Sequence, residues 1–418
     1  MEVMFKTNMK YVVLVGDGMA DENIPELGGK TPLEFASTPH IDKISNMGVV
    51  GEVKTVPDGF QPGSDVANLT LMGYDPKQFY TGRAPLEAVS MGIDLDSDDV
   101  AYRCNLVTLE VLGLTIFMRD FTAGHISSED AKVLIEGLNE HLYDEDIMFY
   151  PGVSYRHLMV WKSGSTEVTL TPPHDILDQS IAKYMPKGPA SQKIIKWTTT
   201  AQIYLKSHPI NQARMSKGKN PANSVWLWGQ GKKPALPTFK ELYNLSGGVI
   251  SAVDLVKGIG ILAGFKAPRV PGATGYLDTN YAGKVVSALK ILEENDFVFI
   301  HIEAPDEAGH SGILEDKIRA IEDFDRHVVG AIFEALQGKQ PFRLLILPDH
   351  PTPLSIRTHT SGPVPFLAYD SMGIFKKQVP ISGPFSEPGA AKSPLKIKEG
   401  HRLMKLWLNG NLEPGVLQ

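Results

Sequence analysis

The chain has 418 residues, 42% hydrophobic and 21% charged, with a formal net charge of −7. This balance excludes extensive disorder and a generally basic surface for nucleic acid, yet leaves room for a local basic pocket that takes a small anion. One cysteine, Cys104, excludes an intrachain disulfide; the opening "MEVMFKTNMKYVVLVGDGMAD" is too short in apolar residues for a signal peptide or membrane span, so a cytoplasmic protein is expected.

In chain order, "KYVVLVGDGMAD" is a short apolar run ending in Gly-Asp-Gly, which predicts a strand buried on both faces and stopping at a loop. In "FQPGSDVANL", Ser64 stands between a Pro-Gly turn and a helix-like stretch, where a serine ordinarily caps the helix. "AYRCNLVTL" alternates like a strand and places Cys104 in a core. The pattern then changes: "DFTAGHISSEDAKVLIEGLNEHL" reads as helix, and "MFYPGVSYRHLMVWK" and "STEVTLTPP" as antiparallel-type strands. Residues 106–205 are therefore expected to form an inserted α+β domain within a core of 1–105 plus 206–418. "SVWLWGQG" reads as a return to the core sheet, with Trp226 and Trp228 as strand core.

Further on, "TNYAGKVVSALKILEEND" and "DKIRAIEDFDRHVVGAIFEAL" carry apolar residues at helical spacing, each next to a buried-strand pattern, "DFVFIHIEAPDEAGH" and "RLLILPDHPTP". This alternation predicts an α/β core: a largely parallel sheet with helices on both faces and ligands gathered at the carboxyl ends of its strands. "VKGIGILAG" lacks the dinucleotide fingerprint and no "GKS" or "GKT" phosphate loop is present, so nucleotide binding has no motif behind it.

The strand-end loops hold Asp17, Asp306 with His310, and Asp349 with His350, and "THTSGPVPF" adds His359. Any one of these serves a turn equally well, but their joint placement points to one site. Mixed carboxylate and imidazole donors suit Mn²⁺ or Zn²⁺ better than Ca²⁺. The proline before Asp306 and the glycine before His310 suggest a loop or helix-start pair rather than a mid-helix one. Two divalent ions roughly 4 Å apart clamp a phosphoryl group, and a serine oxygen held by such an ion becomes a competent nucleophile. On this reading Ser64 caps its helix and attacks from the same place.

"DGMAD", "PGSDVANL", "EAPDEAGH", "PDHPTP" and "THTSGPVPF", in this order, resemble the cofactor-independent phosphoglycerate mutases of the archaeal type, within the alkaline phosphatase superfamily. "TGRAPLEAVSMGIDL" and "VPGATGYLDTNYAGK" are also similar to that family, so the resemblance covers nearly the whole chain. It implies an alkaline-phosphatase-like core, one metal held by Asp306, His310 and His359, and a second held by Asp17, Ser64, Asp349 and His350. It further implies a phosphoserine at Ser64, interconversion of 3-phosphoglycerate and 2-phosphoglycerate, and two divalent ions of the Mn²⁺ type, with Zn²⁺, Mg²⁺ or Co²⁺ as substitutes. The inserted domain would then cap the site and keep water from the phosphoserine.

A small phosphorylated carboxylate needs cationic forks. Candidates are Arg83, Arg119, His125, Arg156, His157 and Arg214; His125 and His157 equally fit structural roles, and Asp65, Glu303 and Glu307 fit the orientation of metal ligands. Three rival readings stay open: a homoserine kinase of the same family, a metal-dependent phosphatase or phosphodiesterase that admits water, and a protein whose metal site is only structural.

Overall fold

A computed structural model describes residues 9–142, 144–379 and 383–414. Among them the strands are β1 (Lys10–Gly16), β2 (Val49–Val53), β3 (Val100–Leu112), β4 (Thr115–Asp120), β5 (Ile147–Tyr150) and β6 (Arg156–Trp161), then β7 (Ser224–Lys232), β8 (Gly247–Ile250), β9 (Phe297–Ile302), β10 (Phe342–Leu347), β11 (Val364–Asp370) and β12 (Lys396–Ile397). The chain divides into two compact units, one up to Tyr80 and from Ala235 onward, the other Thr81–Pro234.

The first unit is built on a seven-stranded sheet in the order β12-β2-β11-β10-β1-β9-β8. β1 is fully buried from Val12 to Val15 because helices cover both faces, which is why its sequence is continuously apolar rather than alternating. Val12, Leu14, Val298, Ile300, Leu344 and Ile346 pack on one side with helices Pro39–Met47, Tyr281–Glu294 and Leu314–Phe324. On the other, Trp407 of helix Arg402–Asn409 meets Tyr11 edge-on. β8, β9, β1 and β10 are mutually parallel, whereas β11 runs antiparallel to β10 and β2. The parallel strands therefore deliver the segments after Gly16, Ile302 and Leu347 to the same sheet edge. This is the largely parallel α/β core expected from the sequence.

The second unit is an antiparallel sheet organised by β3, which is long enough to pair with β6 through Val100–Asn105 and with β4 through Thr108–Leu112 on one side, and with β7 on the other. Helices Ser128–His141 and Ser191–Ser207 cover one face, packing Leu134, Leu138, Trp197 and Leu205 over Tyr102, Cys104 and Leu106. Two expectations change here. "SVWLWGQG" is β7 and joins β3 instead of returning to the core sheet, so this unit runs from 81 to 234, wider than 106–205. "STEVTLTPP" forms only an isolated bridge, Thr169 to Lys187. Among the described residues no helix is long and apolar enough to cross a membrane.

Candidate functional site

The sheet edge of the first unit collects the acidic and histidine candidates for metal binding. Asp17 follows β1, Asp349 and His350 follow β10, and Asp306 and His310 lie on helix Ala304–Ser311 just after β9. That helix spans both residues, placing them one turn apart with His310 Nε2 3.1 Å from Asp306 Oδ2. They are thus a true i, i+4 pair, because the proline sits in the first turn where its missing N–H is harmless.

Two groups of donors result, Asp306 with His350 and His359, and Asp17 with His301 and Asp349, each with its atoms within 4.8 Å of one another. His310 joins the first, its Nε2 3.0 Å from His359 Nε2, while its Nδ1 faces the Arg357 carbonyl at 3.0 Å. A proton on Nδ1 donated to that carbonyl leaves Nε2 turned toward Asp306 with a free lone pair. His350 stands between the groups: its Nε2 is 3.5 Å from Asp17 Oδ1, 3.6 Å from Asp349 Oδ2 and 3.2 Å from Ser64 Oγ. His301 was missed by sequence reasoning. It lies inside the apolar run "FVFIHI", and its only signal was a lone polar residue in a strand otherwise buried on both faces.

Ser64 is the first residue of helix Ser64–Leu71, and Gly63 occupies the cap position. Ser64 Oγ does not cap; it turns to His350, leaving the hydroxyl available at a positive helix end. Asn68, one turn on, donates to the Ser64 carbonyl at 2.9 Å and to Asp349 Oδ2 at 2.8 Å, tying the helix to the acidic group. Asp65 accepts from Tyr80 Oη at 2.6 Å.

The electrostatics ask for a cation. Burial, then the charge of Asp349, lifts the Asp17 carboxyl well above the usual carboxylate range. Burial also disfavours ionised Asp349, but His350 and His301 outweigh it and hold that group low. Burial opposes charge on His301 too, yet its bonds to Asp349 and Glu303 raise it to about 9. Asp17 Oδ1 is buried and accepts no hydrogen bond. An orphaned carboxylate oxygen among carboxylates and imidazoles is what a divalent ion satisfies, and the mixed oxygen and nitrogen donors fit divalent metals.

The basic candidates all lie in the second unit, and the structure separates them. Arg103, which the sequence reading did not single out, is buried on β3 with Nε 2.9 Å from Glu87 Oε2 and its guanidinium 4.2 Å from the Trp228 ring centre. Burial lowers its ionisation to about 10, with Glu87 opposing and the like charges of Arg83 and Arg156 adding to the fall, so three arginines share one neighbourhood. Glu87 also holds Arg83, at 3.3 Å. Arg156 lies over Tyr155, whose ring meets that of His125 edge-on. Arg83 and Arg156 therefore neighbour Arg103, and His125 is joined to Arg156 only through the Tyr155 ring.

The other three do not. Arg119 is more than half exposed and pairs with Asp178 at 2.7 Å. Arg214 is buried and donates to the Ala123 and Asn220 carbonyls, so it braces the loop before His125. His157 pairs across from Cys104, on the helix-covered face, where its Nδ1 accepts the Gly152 N–H and Nε2 has no partner. Burial there drives its pKa down to about 3.

Residues 45–211 match the profile of the family described as 2,3-bisphosphoglycerate-independent phosphoglycerate mutase. A protein of Geobacter sulfurreducens, named a probable 2,3-bisphosphoglycerate-independent phosphoglycerate mutase, is 51% identical over 96% of this chain and 100% of its own length. One of Methanosarcina barkeri, named as that mutase, is 53% identical over 86% of this chain and 90% of its own. Among solved structures, a Pyrococcus horikoshii protein superposes with a TM-score of 0.78 at 29% identity, covering 97% of each chain. The cofactor-independent phosphoglycerate mutase of Thermoplasma acidophilum shares the fold, with a TM-score of 0.64 at 24% identity over 96% of this chain and 99% of that one. Sequence likeness at this level, sustained over nearly the full length of both proteins, means that the chain belongs to the 2,3-bisphosphoglycerate-independent phosphoglycerate mutase family.

Proposed function

We propose that this protein interconverts 3-phosphoglycerate and 2-phosphoglycerate through a phosphoserine at Ser64. The observation that carries the reading is a serine hydroxyl at a helix N-terminus, 3.2 Å from His350, beside two buried groups of metal-type donors. Two divalent ions, best Mn²⁺, are suited to these donors, with Asp306, His310 and His359 holding one and Asp17, Ser64, Asp349 and, from its place between the two groups, His350 holding the other. Bound there, they supply charge neutralisation for the phosphoryl oxygens and a lower pKa for the serine hydroxyl.

The chain's own residues do the rest. Ser64 Oγ bonds to phosphorus as the bond to the glycerate oxygen breaks, and the released glycerate oxygen takes up a proton. The neighbouring glycerate hydroxyl then loses its proton and attacks the phosphoserine, restoring Ser64. Glycerate must stay bound between the two transfers, and Arg83, Arg103 and Arg156 with His125 are suited to grip its carboxylate. The unit 81–234 takes the role of a substrate-binding cap, and a cytoplasmic location belongs to the same proposal.

The test incubates wild type and Ser64→Ala with Mn²⁺ and, in parallel, 3-phosphoglycerate, homoserine plus ATP, and a generic phosphate monoester. Wild type is expected to form 2-phosphoglycerate without releasing phosphate and to yield phosphoserine when trapped. Ser64→Ala should lose the activity with little change in folding stability, about 0.5 kcal/mol or less, since the hydroxyl does not cap the helix. Near-native mutase activity in Ser64→Ala, phosphate release in place of 2-phosphoglycerate, or turnover only with homoserine and ATP would each overturn the reading.

A further inference from the structure

Behind the Asp17 and Asp349 group lies a buried chain of charges that the catalytic scheme does not use. Lys284, on helix Tyr281–Glu294, is fully buried, and its Nζ donates to Glu303 Oε2 at 2.6 Å and to the His301 carbonyl at 3.2 Å. Glu303 Oε1 accepts from Ser251 Oγ at 2.8 Å and from the Ala252 N–H at 2.9 Å, and it faces His301 Nδ1 at 3.2 Å. Since donors surround both its oxygens, Glu303 is an ionised acceptor, and Nδ1 of His301 must carry the proton between them.

That leaves His301 Nε2 facing the site. Its neighbours there are Asp17 Oδ2 at 3.4 Å, Asp349 Oδ2 at 3.7 Å and Asn68 Nδ2 at 3.4 Å. The two carboxylate separations are long for hydrogen bonds between charged groups. They match the spacing between neighbouring donors of a tetrahedral site, about 3.4 Å for metal–ligand bonds of ~2.1 Å. A histidine whose outer nitrogen is fixed by a carboxylate is also the usual way proteins aim an imidazole lone pair at a metal.

Burying Lys284 and Glu303 is costly. Its evident return is orientation: it fixes one tautomer and one ring position for His301, on a strand whose other residues are apolar.

We propose that His301 is a further ligand of the metal held by Asp17 and Asp349, and that Glu303 and Lys284 are positioning residues that aim it. This rests on the metal-centre reading above. His301 and Lys284 lie outside the ligand set implied by family resemblance, so the two ideas can fail separately.

The test uses the full chain stripped with chelator and titrated with Mn²⁺ by calorimetry, then with Co²⁺ while its visible absorption is followed. Wild type is expected to show two binding events. Glu303→Gln, which keeps the shape of the side chain, and Lys284→Met should each weaken one event by about 10- to 100-fold and leave the other in place. His301→Gln should weaken the same event and alter the Co²⁺ spectrum of that site. Far-ultraviolet dichroism and the melting temperature check that each variant is folded. If folded Glu303→Gln and Lys284→Met both bind Mn²⁺ as wild type does, or weaken both events equally, the inference fails and the metal-centre reading stands. Wild type that binds no metal would overturn both.

Discussion

Arg156 and His157 are adjacent, and both are chemically suited to an anionic substrate, yet the strand sends them to opposite faces. Arg156 pairs across from Asn105 on the face shared with Arg103 and Trp228; His157 pairs across from Cys104 over the helical core. The face with three arginines and Glu87 carries a net positive charge, which a carboxylate relieves. Arg103→Lys keeps the charge but loses the planar fork and most of the stacking on Trp228. It should raise the KM for 3-phosphoglycerate by about 10-fold with a smaller effect on kcat, read from steady-state kinetics. A fall in kcat at unchanged KM would argue against a carboxylate grip. At Ser64 the hydroxyl expected to cap the helix turns to His350 instead.

At the scale of elements, the site depends on how tightly three strand ends converge. Gly18, just past β1, has φ of +58°, a left-handed conformation that costs a residue with Cβ roughly 1–2 kcal/mol. A Cβ there would meet Thr352 Oγ1 at 2.5 Å and the Asp306 Cα at 2.8 Å, so helix Ala304–Ser311 would have to move. Thr352 Oγ1 itself donates to Asp306 Oδ1 at 2.5 Å, and Lys317 Nζ donates to the Thr352 carbonyl at 2.7 Å, so the disturbance reaches the Asp306 group directly. Gly18→Ala is expected to keep native secondary structure while losing most metal binding at that group, as measured by dichroism and by metal content after dialysis. Full metal occupancy in the variant would show that the helix tolerates displacement. The "GDG" run advertised this turn, and the structure adds that the second glycine is needed for contact as much as for conformation.

For the whole molecule, each unit has its own hydrophobic core, and the second carries a built-in sensitivity to acid. His157 takes up a proton near pH 6.5 when unfolded but only near 3 when folded, so between those values the unfolded state binds the extra proton and stability falls as pH falls. The full loss is on the order of 5 kcal/mol. His157→Asn, which retains an acceptor for the Gly152 N–H, should flatten the decline of the urea midpoint between pH 6.5 and 4; an unchanged slope would mean that other groups set it. The sequence by itself determined the α/β core, the strand-end acids and histidines and the serine before its helix, because buried parallel strands and the loops that end them are written in short contiguous patterns. Tertiary structure alone decided that "SVWLWGQG" joins β3, that Arg103 is grouped with Arg83 and Arg156, and that His301 faces Asp17 and Asp349. Each of these depends on pairing register and burial set by residues far apart in the chain, such as Trp228 opposite Arg103 and His301 beside Val15, and no local pattern records which face a side chain will find.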